Sequence, residues 1–148
     1  MPIVSENKLK IVGKPKVLKR TGIKVLKYGQ FHELDLPNLI EELEGLVRSE
    51  KNALKSNLSI LLIHLLKCRY QPEIRPRSRD GTIAEHRDRI EYSLEDSPSL
   101  KGYLEEVFGK CYQKARKRAS IETGISVEQF PKETPFSVAE VLSEDFFG

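Results

Sequence analysis

The sequence predicts an all-α protein: a compact, bundle-like helical domain of about four main helices plus short C-terminal helices, preceded by a basic, irregular N-terminal arm. Three observations predict it. Apolar residues recur at helical spacing from Leu36 to Leu65 and again from Leu100 to Ala119. Helix-opening signals stand ahead of these runs, at Asp35-Leu-Pro37, Thr82-Ile-Ala-Glu85 and Ser97-Pro98. The composition, 39% hydrophobic and 32% charged, suits helices with one buried stripe and a charged outer face. A chain of 148 residues buries roughly two thirds of its unfolded surface, enough to fold without metal or disulfide.

Residues 1–30 form the arm. They hold eight lysines and arginines against one acid, Glu6, while the whole chain carries only +3. The remainder is therefore net acidic, and the small overall charge conceals an asymmetry. β-Branched residues around Gly13 and Pro15 could build a short hairpin, but an isolated two-stranded ribbon is marginal in water. A loosely ordered arm is expected.

Residues 31–148 are expected to be the single helical domain. Asp35 can cap its first helix, with Pro37 in the first turn, where a missing amide proton costs nothing. The following period runs without proline to Pro72. Gly45 and Ser56-Asn57-Leu58-Ser59 are its weak points, so two helical segments in series are expected, the second central to the core. Gln71 to Asp80 reads as a loop. Thr82 and Glu85 form a capping box that opens the next helix. Ser97-Pro98 closes it and starts another, which Thr123-Gly124 ends with a left-handed glycine. Ser126-Val-Glu-Gln129 and Ser137-Val-Ala-Glu140 are two further capping boxes, with Phe130, Phe136, Phe146 and Phe147 pinning the short helices onto the longer ones.

Several function classes lack support. The longest apolar run, Leu58 to Leu66, is less than half of the roughly 20 residues a membrane helix needs. The N-terminus lacks the pattern of a secretory signal, and Cys68 and Cys111 stand far apart, reading as buried thiols in a reducing cytoplasm. Three scattered histidines without a paired spacing predict no metal, and no cofactor is expected. No phosphate-binding glycine loop, dinucleotide turn or nucleophile elbow occurs, so no catalytic residues are assigned. Absence of tryptophan argues against a stacking platform for bases or sugars.

A set of blocks in order carries a family resemblance. They are Phe31-x-Glu-Leu-Asp-Leu-x-Asn-Leu-Ile-Glu-Glu-Leu-Glu44, Ser49-Glu-Lys-x-Ala-Leu54, His64-Leu-Leu-Lys67 with Tyr70-Gln-Pro-Glu73, Leu94-Glu-Asp-Ser-Pro-Ser-Leu100 with Tyr103-Leu-Glu-Glu106, and Phe130-Pro-x-x-x-Pro-Phe-Ser137. Over about residues 28–148 the chain resembles the bacterial domain of unknown function, family twenty-nine, common in photosynthetic bacteria. The resemblance implies a compact helical fold and no particular activity. Members usually begin with an acidic, aromatic helical segment where this chain has lysines. The tryptophans usual near the central loop are replaced in Lys67-Cys68 and Ser78-Arg79.

The candidate site is a basic cluster at one helix end and its loop: Lys67, Arg69, Arg75, Arg77 and Arg79, continued by Arg87 and Arg89. Arginines facing a helix start can hold phosphate through paired donors and the helix dipole. Glu73, Asp80, Glu85, Asp88 and Glu91 alternate with them, so intramolecular pairing is the competing account. Lys110 to Arg118 is a second basic stretch, where cations also suit the end of a helix. His64 reads as a core or boundary histidine with a hydrogen-bond partner, and the clustered glutamates as a solvated face.

The leading expectation is a non-enzymatic interaction or oligomerisation module, using the long helix or the C-terminal phenylalanines against itself or another protein. The alternative is a nucleic-acid-associated protein whose lysine arm and arginine loop touch phosphates. An enzyme built on His64 with Arg75 or Arg77 comes third.

Overall fold

The computed structural model describes Lys27, Gly29 and residues 35–148. Apart from Lys27 and Gly29, the basic arm lies outside the described residues. The chain divides into two units, Met1–Ser49 and Glu50–Gly148. Among the described residues there are four α-helices, three of them long, one 3-10 turn and no strand, the all-α class that the periodicity indicates.

Helix α1 spans Leu36–Tyr70. Asp35 opens it as expected: its carbonyl accepts from the Leu39 amide at 2.9 Å and its carboxylate from Asn38. The break expected at Ser56-Asn57 does not occur, and α1 is one helix of 35 residues. The reason is energetic. Serine and asparagine cost a few tenths of a kcal/mol each in a helix interior. The turns around them bury Leu54, Leu58, Leu61 and Leu62 completely, at roughly 1.5–3 kcal/mol per side chain. Burial outweighs propensity by several-fold.

In the unit Glu50–Gly148, α2 spans Arg77–Asp96 and α3 spans Leu100–Thr123. Helix α2 starts six residues earlier than the capping box predicted, directly after Pro76. Asp80 lies in its first turn, where a carboxylate suits the dipole. Thr82 is interior, its hydroxyl donating to the Ser78 carbonyl at 2.9 Å, and Glu85 pairs with Arg89. Ser97 does not cap α3: its hydroxyl donates to Glu50 at 3.2 Å, while its carbonyl accepts the Leu100 amide. Gly124 ends α3 as expected, at φ 76°, its amide donating to the Ser120 carbonyl.

The tail mixes one expectation met with one corrected. Ser126 makes no side-chain cap, and only a 3-10 turn, Val127–Gln129, follows. Ser137 forms both bonds of a capping box with Glu140, each 3.1 Å, at the start of α4, Val138–Leu142. Phe130 and Phe136 are buried, edge-on to Tyr70 and Phe146 with ring centres 5.2 and 5.5 Å apart. The phenylalanines thus fasten the tail to the core that α1, α2 and α3 share, where Ile83, Ile90, Leu104, Tyr112 and Ala115 are also buried.

Candidate functional site

The basic cluster is drawn largely into the architecture. Arg87, two per cent exposed, donates from Nε to the Val141 carbonyl at 2.9 Å and from its terminal nitrogens to the Glu144 and Phe146 carbonyls. One guanidinium thereby satisfies three carbonyls of the C-terminal segment, and burial holds its pKa below the ordinary arginine value. Arg79 is also buried and donates to the Ile74 carbonyl at 2.5 Å. Arg75 pairs with Asp80 at 3.1 Å and lies over the Phe147 ring; Arg69 lies over the Phe136 ring. Lys67 reaches Glu122 of α3 at 2.5 Å, and that bond is the main reason the Glu122 carboxyl titrates lower than usual. Arg77 is exposed and makes no ion pair with another described residue. Four of the five candidate phosphate ligands therefore hold internal partners.

His64 is half-buried, and its Nδ1 has no hydrogen-bond partner among the described residues, unlike the satisfied histidine expected. Burial lowers its pKa most, followed by the cations Lys67 and Arg79; Glu122 opposes and His86 adds slightly. Burial likewise pushes the Cys68 thiol up, despite Arg75 and Arg79 nearby. The Cys68 thiol is thereby held in its protonated, weakly nucleophilic form. Both cysteines are free thiols.

A second basic region has a different character. A cavity of about 460 Å³ lies between α1 and α3, within the unit Glu50–Gly148. Helix α3 contributes Lys110, Lys114 and Arg118, three cations on one face at four-residue spacing. Helix α1 contributes Lys55, with Asn52, Ser56 and the buried Ser59. None of the described residues lining the cavity is acidic. Arg118 pairs with Glu122 at 3.2 Å, whereas Lys55, Lys110 and Lys114 form no ion pair with another described residue. The Cys111 thiol at the wall is committed to the Lys55 carbonyl, 3.8 Å away. Like charges four residues apart cost about 0.2–0.5 kcal/mol per pair, so this row is a small liability to the helix that carries it. The sequence displays the α3 row as a basic stretch; that Lys55 joins it depends on how α1 packs against α3.

The opposite side of α3 is occupied by the tail. Tyr112 donates to the Pro131 carbonyl at 2.6 Å, and burial pushes its pKa up to about 12. Gln113 and Arg116 donate to the Lys132 and Phe130 carbonyls.

In the unit Met1–Ser49 a third feature stands out. Leu36, Ile40, Leu43 and Val47 are each about half exposed, 49–55%. Their spacing of four, three and four residues places them in one stripe along α1. Glu44 borders the stripe, and Glu41 and Glu42 lie further round the same turns.

Among the described residues no group of histidines, cysteines and carboxylates is arranged to hold a metal ion. No described helix is long and apolar enough to cross a membrane. No curated protein and no solved structure is similar enough to match the chain. A family model, the domain of unknown function DUF29, matches residues 19–147, nearly the whole chain, and the protein belongs to that family.

Proposed function

We propose that this protein is a non-enzymatic interaction module that associates with a second copy of itself through the apolar stripe Leu36, Ile40, Leu43 and Val47. The exposure of four large apolar side chains at coiled-coil spacing carries this reading. Charge supports a segment of this sequence, supplied in this proposal by a second copy, as the occupant. Glu44 borders the stripe, while residues 1–30 of the sequence interleave lysines with Ile11, Val12, Val17, Leu18, Ile23, Val25 and Leu26. A segment both basic and apolar is what an acid-bordered apolar face selects. A cytoplasmic setting belongs to the same proposal and is supported by the two free thiols.

Sedimentation equilibrium of the full chain tests the reading. The expected result is a mass that rises with concentration for the wild type and stays monomeric for Ile40→Glu/Leu43→Glu, with helical content unchanged. A wild type that remains monomeric across the accessible range overturns it. Nucleic-acid contact, the alternative from the sequence, has less behind it: its arm lies outside the described residues, and Arg77, the first residue of α2, is the one cation of the candidate cluster without a partner among them.

A further inference from the structure

We propose that the groove between α1 and α3 binds a small organic phosphate bearing at least two negative charges, held by Lys55, Lys110, Lys114 and Arg118. This site is separate from the α1 stripe and does not depend on it.

The groove combines a volume and a charge that structural packing does not explain. Its volume, about 460 Å³, falls within the roughly 300–1,000 Å³ typical of small-molecule sites. Four cations from two helices converge on it with no acid among the described residues that line it. Three of the four, Lys55, Lys110 and Lys114, form no ion pair with another described residue, and Arg118 shares Glu122 with Lys67. Several cations elsewhere in the same unit are matched, Arg75 with Asp80, Arg89 with Glu85 and Arg87 with three carbonyls. A polyanion in the groove would supply the charge that the helices omit. Phosphate fits better than a single carboxylate because the donors are spread over two walls and need several acceptor oxygens. Lysines, as mobile point charges, suit phosphate without demanding a planar partner.

The lining also sets the rest of the ligand. Ile60 and Ile63 give the groove an apolar floor, so a carbon skeleton has somewhere to lie. Among the described residues no aromatic side chain lines it, which leaves none of them to stack on a nucleobase. Ser56 and Ser59 add hydroxyls suited to a polyol or ester oxygen. These features favour an aliphatic phosphate over a nucleic-acid strand.

Calorimetric titration of the full chain with inorganic pyrophosphate, and separately with fructose 1,6-bisphosphate, decides the matter. The expected result is saturable one-to-one binding of both at low salt. Affinity should fall about tenfold or more in Lys110→Gln/Lys114→Gln, as charge-assisted contacts are lost. It should not change in Lys101→Gln/Lys117→Gln, which removes two exposed α3 cations outside the groove. Circular dichroism of both variants keeps loss of binding distinct from loss of fold. No saturable binding by the wild type overturns the proposal, as does equal loss in both variants, which would mean diffuse charge. Binding of single-stranded RNA that pyrophosphate cannot displace also overturns it, in favour of a nucleic-acid surface.

Discussion

Two basic regions of this protein, one of seven lysines and arginines and one of four, have different fates. Around the α1 end and the α2 start, cations alternate with acids in sequence, and the fold consumes them: Arg87 and Arg79 are buried on carbonyls, and Lys67 and Arg75 are matched by carboxylates. Along α3, Lys110, Lys114 and Arg118 follow one another on one face, and Lys55 arrives from α1 to join them. In the first region Arg75 and Arg89 pair with nearby acids, and Lys67 and Arg87 are answered from across the fold. In the second, Arg118 has Glu122, while Lys55, Lys110 and Lys114 face a cavity without an ion pair among the described residues. A dense run of arginines is thus no better a pointer to a ligand than a sparse row of lysines; the partners decide.

The sharpest way to break the contrast is Arg87→Met. It strands the Val141, Glu144 and Phe146 carbonyls and should cost on the order of 3 kcal/mol. Chemical denaturation would measure it, with faster proteolysis of residues 137–148 as a second readout. A change below about 1 kcal/mol would mean that Arg87 is not structural.

A smaller effect is expected at His64, whose ring is faced by Lys67 from its own helix, Arg79 and His86 from α2, and Glu122 from α3. Its pKa is lowered in the folded protein, so the unfolded chain binds the proton more readily. Stability from this group is level above the ordinary value of 6.5 and declines as pH falls below it. Thermal melts between pH 7.5 and 5.5 should show that decline, and His64→Leu should flatten it; an unchanged slope would remove His64 as its source. Glu122 does not blur this window, since its own lowered pKa places its loss of stabilisation at more acid pH.

The smallest effect is expected in the groove. Lys110→Gln/Lys114→Gln should leave stability unchanged or raise it by up to about 1 kcal/mol, because repulsion in two pairs along α3 is relieved. A clear loss of stability would make these lysines structural and erase the difference between the two regions.

Much of the architecture was legible without coordinates. The Ser137 capping box and the Gly124 stop are local chemistry, complete within four or five residues, and both occur as read. The segmentation of α1 was misread because the weak propensity of Ser56-Asn57 is a local signal, whereas the burial that overrides it is assembled from distant residues. The α2 start was displaced for a related reason. Thr82 and Glu85 have the right spacing for a cap, but Arg79, buried on the Ile74 carbonyl, belongs to a turn wound before them.

By itself the sequence determined that the chain is helical, where its apolar faces lie and where its helices stop, because periodicity, caps and glycine act over a few residues. Tertiary structure alone decided which face is covered and which cation is answered. Leu58 and Leu43 lie on the same helix, yet one is fully buried and the other about half exposed. Arg87 and Lys114 are both interleaved with apolar residues, yet one is buried on carbonyls 54 to 59 positions away and the other lines a cavity. Burial and charge pairing are made by neighbours distant in the chain, and only packing brings those neighbours together.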